Sequence, residues 1–420
     1  MSLISAPPLE AASPAAFARD RRGLRRLWPE SGAISPIPAL DGLRAVAVLL
    51  TIAYHAWTSI PSAPIGVTAY RYPINYGRTG VHLFFVLSGF LLFLPYARWL
   101  FGLQARPSAR LFYRRRALRV GPAYWACLAI LTITGPLTAF ALLDSALHAL
   151  FLSNISAQTV GEINSVFWTM AVEVQFYAML PLLGWLAARL ARLLTPIGAG
   201  LTLFITLLAT SIGAEALVRI EWVRQLPFYT FLLGDASLSY WIAIFGCGIA
   251  CAIMYTYLRQ VRPFSTRAAP ALRAVAGVLG IAGVCLALSV TFLPRLHALP
   301  LKNETFGVAY GLLLFGVLFG PAPLRVPFSA RVMRFVGLIS YSVYLWHTVI
   351  LGLIEPHLTS VASFPAHIAI GAALDLLLTL PVAYVSYQLT ERPFLKARQR
   401  SHDRPAAPPQ QSVPVSLIAQ

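Results

Sequence analysis

Charge is what this sequence has least of. Only 11% of its 420 residues are charged, with 15 Asp and Glu set against 33 Lys and Arg. A soluble globular chain carries roughly 25% charged residues, so a water-covered globule of this length is excluded. With 58% hydrophobic residues and a mean hydropathy of +0.69, lipid has to solvate much of the surface. Cysteine is nearly absent too. Cys127, Cys247, Cys251 and Cys285 all fall within apolar runs, which argues against a disulfide framework. Cys247 and Cys251 stand at i, i+4 with no further Cys or His nearby at zinc-like spacing, so they read as packing side chains and no metal site is expected. The first forty residues hold no apolar core of a cleavable signal, and the run from Leu40 is expected to act as an uncleaved anchor. No internal repeat of the kind common in transporters is visible.

What the chain does have is long apolar runs. Spanning about 30 Å of hydrocarbon takes roughly 20 helical residues. Runs of about that length lie near 41–60, 79–99, 120–140, 165–188, 197–214, 236–258, 271–293, 304–322, 333–355 and 365–389. The expected fold is all-α, a polytopic membrane bundle of about ten helices. The segment 141–152 is apolar but too short to cross, and reads as interfacial or re-entrant. Three regions follow: an N-terminal cytoplasmic segment 1–39, a membrane domain 40–395, and a Pro/Gln-rich tail 396–420 expected to be disordered.

The basic residues test this count, because cytoplasmic loops of membrane proteins carry the Lys/Arg excess. With both termini placed in the cytoplasm, the cytoplasmic boundaries hold 26 Lys and Arg and the opposite ones six. An error of one helix in mid-chain would scramble that alternation. The net charge of +18 is therefore topological, which disfavours nucleic acid as a partner; the expected location is the cytoplasmic (inner) membrane.

Ionisable side chains within spans are costly and so are the default functional candidates. Here they are Arg44, His55, His82, Glu173, His347 and Asp375, with Ser88 beside them. His55 follows Arg44 by eleven residues, which returns it to within about 20° of the same face after a rise of about 16 Å. One stripe of the first helix thus carries a cation low and an imidazole high. Counting inward from the outer boundary sets Glu173, Ser88, Asp375, His347 and His55 at a similar depth, from five helices. Ser340, Tyr344 and His347 share one face at i, i+4 and i+7. Two imidazoles and a carboxylate suit general acid–base work. Arg114, Arg115, Arg116 and Arg119, just ahead of the third span, suit a polyanion such as nucleotide phosphates, or else anchor the helix as ordinary cytoplasmic charge.

These residues sit in an ordered set of motifs. The set comprises Leu40-Asp41-Gly42-Leu43-Arg44-Ala45 with Tyr54-His55, and Gly80-Val81-His82-Leu83-Phe84-Phe85-Val86-Leu87-Ser88-Gly89-Phe90. Arg115-Arg116-Ala117-Leu118-Arg119 follows, then Phe167-Trp168-Thr169-Met170-Ala171-Val172-Glu173, Ser340-Tyr341-Ser342-Val343-Tyr344-Leu345-Trp346-His347, and Glu391-Arg392-Pro393-Phe394. Together they resemble the integral membrane acyltransferase family 3, the bacterial O-acyltransferases of surface polysaccharides, Nod factors and some macrolides. Two positions depart from the family: His82 stands where many members have Asp, and Val174 replaces the second carboxylate of a common Glu-Glu pair.

The resemblance implies ten membrane helices, an acyl-CoA donor (acetyl-CoA foremost) and an essential histidine at His55. A hydroxylated carbohydrate would be the acceptor. On this reading Arg44, Arg114, Arg115, Arg116 and Arg119 hold the donor, while His55 acts as general base or as a transient acyl carrier. Glu173 and His347 join it in the catalytic group, Glu173 orienting an imidazole or binding the sugar. Ser88, Trp168, Tyr177 and Tyr344 are the expected substrate contacts, although Ser88-Gly89 also suits close helix approach, and Trp168 and Tyr177 suit packing. Glu391-Arg392-Pro393 reads as a helix-terminating ion pair. The rival class is a transporter or flippase of a glycan or lipid-linked precursor, which would show matching halves with broken helices.

Overall fold

The computed structural model describes residues 37–58, 79–135, 138–160, 162–226, 228–262, 268–293, 301–358 and 364–395. The expected N-terminal segment, apart from its last residues, and the tail 396–420 lie outside them. Among the described residues all regular structure is helical. Twelve helices are numbered here: α1 Pro38–Thr58, α2 Thr79–Leu100, α3 Ala109–Thr134, α4 Ala139–Ala149, α5 Phe167–Leu193 and α6 Pro196–Leu217. They continue with α7 Leu238–Thr256, α8 Ala269–Phe292, α9 Lys302–Phe319, α10 Arg331–Leu338, α11 Ser340–Leu358 and α12 Phe364–Ser386.

Each of the ten predicted runs is occupied by helix. Among the described residues eight helices are long and apolar enough to cross a membrane, and α10 with α11 makes a ninth crossing if the pair, bent by 73°, is taken as one span. The tenth is α9. Lys302, Asn303 and Glu304 in its first turn make it more polar than a lipid-facing span, yet Asn303 and Glu304 are buried against the protein. The polar turn is thus solvated by the bundle. The short apolar segment is α4, 11 residues long, which cannot reach across 30 Å of hydrocarbon.

The third helix differs from its expected start. Ser108 caps it by accepting from the Leu111 amide, so the arginine cluster lies within the first turns of α3 and not ahead of it. At the other end of the chain, α12 runs on through a π-helical stretch, Tyr387–Glu391, and stays helical to Leu395. The expected stop at Glu391-Arg392-Pro393 does not occur there.

Packing follows from which faces lipid cannot use. Aliphatic side chains at helical spacing, such as Leu201 and Ile205 on α6 or Val278 and Ile281 on α8, are exposed and are solvated by hydrocarbon tails. Helix contacts are made by small residues, as expected where apolar burial between helices gains little over lipid. Helix α2 packs against α7, α1, α5 and α9. At the α2–α7 crossing Gly89 meets the Phe245 backbone and Gly248 meets the Val86 and Phe90 backbones, leaving no room for a Cβ. Gly42 of α1 lies against Phe328 and Gly337 of α10 against Asp41 with the same closeness. These contacts fix the rotation of α1, and therefore the direction in which Arg44 points.

Candidate active site

Five helices leave a pocket where they meet. Its walls are Arg44 of α1; Val81, Phe84, Phe85 and Ser88 of α2; Arg116, Arg119 and Val120 of α3; Thr169, Met170, Glu173 and Tyr177 of α5; and Ser340, Tyr341 and Tyr344 of α11. The space between these walls, open solvent included, is about 660 Å³. Three guanidiniums line it against one carboxylate, Glu173. Arg44 feels the repulsive field of Arg119 and the attractive fields of Asp41 and Glu173. Held together away from water, such cations favour an anion between them.

Two of the charged wall residues are held by partners that reach in from other helices. Glu173 accepts a hydrogen bond of 2.6 Å from Ser88 Oγ and lies beside the Tyr177 hydroxyl. Ser88 therefore does more than permit close packing, and its neighbour Gly89 makes the helix contact. Arg119 Nη1 stands 2.7 Å from Glu391 Oε2, and Ser342 Oγ donates to Glu391 Oε1 at 2.6 Å. The sequence reading paired Glu391 with its neighbour Arg392. In the structure Glu391 ties the last helix to the pocket, while Arg392 donates to Gln388.

Of the four clustered arginines, Arg116 and Arg119 face the pocket, at i and i+3 of α3. Arg114 is exposed and borders a separate surface concavity with Ser108, Arg110 and Leu111. Arg115 is half-buried and does not line the pocket. Helical spacing explains the split, since four residues spread over 114–119 cannot share one face.

The two histidines pair directly. His347 Nε2 lies 3.0 Å from His55 Nδ1, with ring centroids 5.0 Å apart. His347 Nδ1 lies 2.9 Å from the Tyr344 carbonyl oxygen and 3.3 Å from that of Val343, so this nitrogen carries a proton and donates it. The unprotonated Nε2 then accepts from His55 Nδ1–H, which also lies 3.1 Å from the Thr51 carbonyl. That chain assigns Nε2 as the basic nitrogen of His55. His347 and the Thr51 carbonyl, not Glu173, set the tautomer of His55.

Both Arg44 and His55 turn inward from α1, one to the pocket and one to α11. The five polar groups expected at one level do not form one cluster, however. They resolve into the Ser88–Glu173 pair in the pocket, the His55–His347 pair beside it, and Asp375, which accepts from Thr379 Oγ1 on its own helix at 2.8 Å. Tyr344 stands at the junction. It lines the pocket, its ring lies 5.8 Å from that of His347, and its hydroxyl meets Thr169 Oγ1 at 2.7 Å. Trp168 does not line the pocket and packs on Trp241, centroids 5.5 Å apart. His82 faces away, 3.2 Å from Asn303 Oδ1.

Several groups here were missed by sequence reasoning. Asn164 accepts from Thr348 Oγ1 at 2.8 Å and donates to the Leu345 carbonyl at 3.1 Å, bracketing His347. In α4, Asp144 and His148 form a buried pair at 3.0 Å; burial raises the Asp144 carboxyl above its ordinary range, and His148 acts against that shift. The i, i+4 spacing of Asp144 and His148 was a readable signal.

Residues 37–387 match the family described as an acyltransferase domain. The chain belongs to that family, a class of multi-pass membrane acyltransferases. It is 25% identical over 386 residues to the peptidoglycan O-acetyltransferase OatA of Listeria monocytogenes, covering 86% of this chain and 56% of that protein. It is 26% identical over 387 residues to the O-acetyltransferase OatA of Staphylococcus aureus, covering 86% and 57%. The chain thus spans a little over half the length of these relatives. No solved structure matches it.

Proposed function

We propose that the protein transfers an acyl group, acetyl foremost, from cytosolic acyl-CoA to a hydroxyl of a carbohydrate or glycoconjugate. The observation that carries this reading is a pocket lined by Arg44, Arg116 and Arg119 that abuts a hydrogen-bonded histidine pair through Tyr344. The guanidiniums would hold the phosphates of the donor. The pantetheine arm would run along α1, where the eleven residues from Arg44 to His55 rise about 16 Å. Both termini would lie in the cytoplasm of a cell whose inner membrane holds the bundle, in keeping with the basic loops.

In this mechanism His55 Nε2 takes the proton of the acceptor hydroxyl. The oxygen attacks the thioester carbonyl carbon, the C–S bond breaks on collapse, and the thiolate recovers the proton from the imidazolium. His347 and the Thr51 carbonyl hold the tautomer throughout. The acceptor class is supported by the Listeria relative, a peptidoglycan O-acetyltransferase, since the glycan strands of peptidoglycan carry hydroxyls. The test is radiolabelled acetyl-CoA supplied to inside-out vesicles. Label on a hydroxylated glycan acceptor supports the reading; donor left intact, with unmodified glycan moved across the membrane, would instead support a flippase.

A further inference from the structure

Two hydroxyl protons serve three oxygens at the junction between the pocket and the histidines. Thr169 Oγ1 lies 2.9 Å from the Val166 carbonyl, and the Tyr344 hydroxyl lies 3.4 Å from the same carbonyl. The carbonyl can only accept, and the shorter distance assigns it the threonine proton. Tyr344 O–H is left to donate to Thr169 Oγ1 at 2.7 Å. A buried phenol thus holds its proton on a neutral hydroxyl, a weaker acceptor than an anion would be. The phenol is held rigidly: Phe84 packs edge-on to its ring at 5.9 Å, and the Tyr344 carbonyl is the group that fixes His347 Nδ1.

From this geometry we infer that Tyr344 is a catalytic residue, the hydrogen-bond donor to the thioester carbonyl oxygen as it becomes an oxyanion. The inference rests on the acyl-transfer reading above and adds a residue to it. As the acceptor oxygen bonds to the carbonyl carbon, the C=O electron pair moves onto oxygen. Tyr344 O–H leaves Thr169 and donates to that oxygen. Reforming the carbonyl expels the thiolate, which takes the proton from His55, and Tyr344 returns to Thr169. No proton is gained or lost at the phenol. One helical turn separates Tyr344 from His347, so donor and base chain are carried by the same rigid element.

Tyr344→Phe removes one oxygen and keeps the ring. With acetyl-CoA as donor and the purified full-length protein in proteoliposomes, kcat should fall by about 100-fold, the scale of one lost oxyanion donor, with KM for acetyl-CoA within about twofold. Thr169→Val, which removes the resting partner but spares the phenol, should cost at least ten times less than Tyr344→Phe. With fluoroacetyl-CoA, whose oxyanion is less basic and needs less stabilisation, the Tyr344→Phe defect should shrink. Equal losses in the two variants, or a defect that is the same for both donors, would mean that the hydroxyls merely hold α5 to α11, and would overturn the assignment. Full activity of Tyr344→Phe beside an inactive His55→Ala would overturn it while leaving the base in place. An active His55→Ala would overturn both readings.

Discussion

The pocket and the histidine pair are neighbours built on opposite principles. The pocket gathers like charges: Arg44, Arg116 and Arg119 line it, with Glu391 behind Arg119 as counter-charge. The histidine pair gathers no formal charge at all. His55 and His347 are satisfied by each other and by backbone carbonyls of Thr51, Val343 and Tyr344. Clustered guanidiniums bind what is already anionic, so they act in the ground state. A neutral imidazole chain acts only when a proton moves. The first region should therefore govern donor affinity and the second the rate of the chemical step.

Substitutions can break this division or sharpen it. His55→Ala removes the base and should lower kcat by about a thousandfold, with membrane insertion and detergent elution unchanged; steady-state kinetics with acetyl-CoA check this. Arg119→Ala leaves Glu391 buried without its cation and removes a charged contact, each hydrogen bond to a charged group being worth about 1.5–3 kcal/mol. KM for acetyl-CoA should rise about ten- to a hundredfold with a smaller change in kcat. His347→Ala removes one of the two acceptors on His55 Nδ1 and leaves the Thr51 carbonyl to hold the tautomer, so kcat should fall by about tenfold with KM unchanged. Arg114→Ala should change KM by less than about twofold, because an exposed charge is screened by water. A loss at Arg114 equal to that at Arg119 would mean that the whole cluster binds the donor and that the α3 geometry is wrong.

The bundle itself was legible because hydrophobic length and basic loop alternation are properties of composition. All ten predicted runs contain helix, and the departures have local causes: the polar first turn of α9 and the bend at Ile339 between α10 and α11. The site was legible in part. Arg44, Ser88, Glu173, His55 and His347 were marked as costly groups inside spans, and the structure brings them into or beside one pocket. Their pairing was not legible. Helical periodicity shows that Ser340, Tyr344 and His347 share a face, yet not that Tyr344 divides the pocket from the histidines. Glu391 was assigned to its sequence neighbour because only the fold brings α12 back to α3. Asn164 carried no signal, since its partners, the Leu345 carbonyl and the Thr348 hydroxyl, lie on a helix remote in sequence. Shared faces within one helix were readable from the chain. Azimuth between helices was not, and azimuth is set by contacts such as Gly42 on Phe328 and Gly337 on Asp41.

The division of labour can be tested in one kinetic comparison of His55→Ala and Arg116→Ala, each assayed over a range of acetyl-CoA concentrations in proteoliposomes with the acceptor saturating. A fall in kcat at constant KM for the histidine variant, and a rise in KM with kcat largely kept for the arginine variant, is the predicted outcome. Wild-type kcat in His55→Ala, or an unchanged KM in Arg116→Ala, would contradict the account.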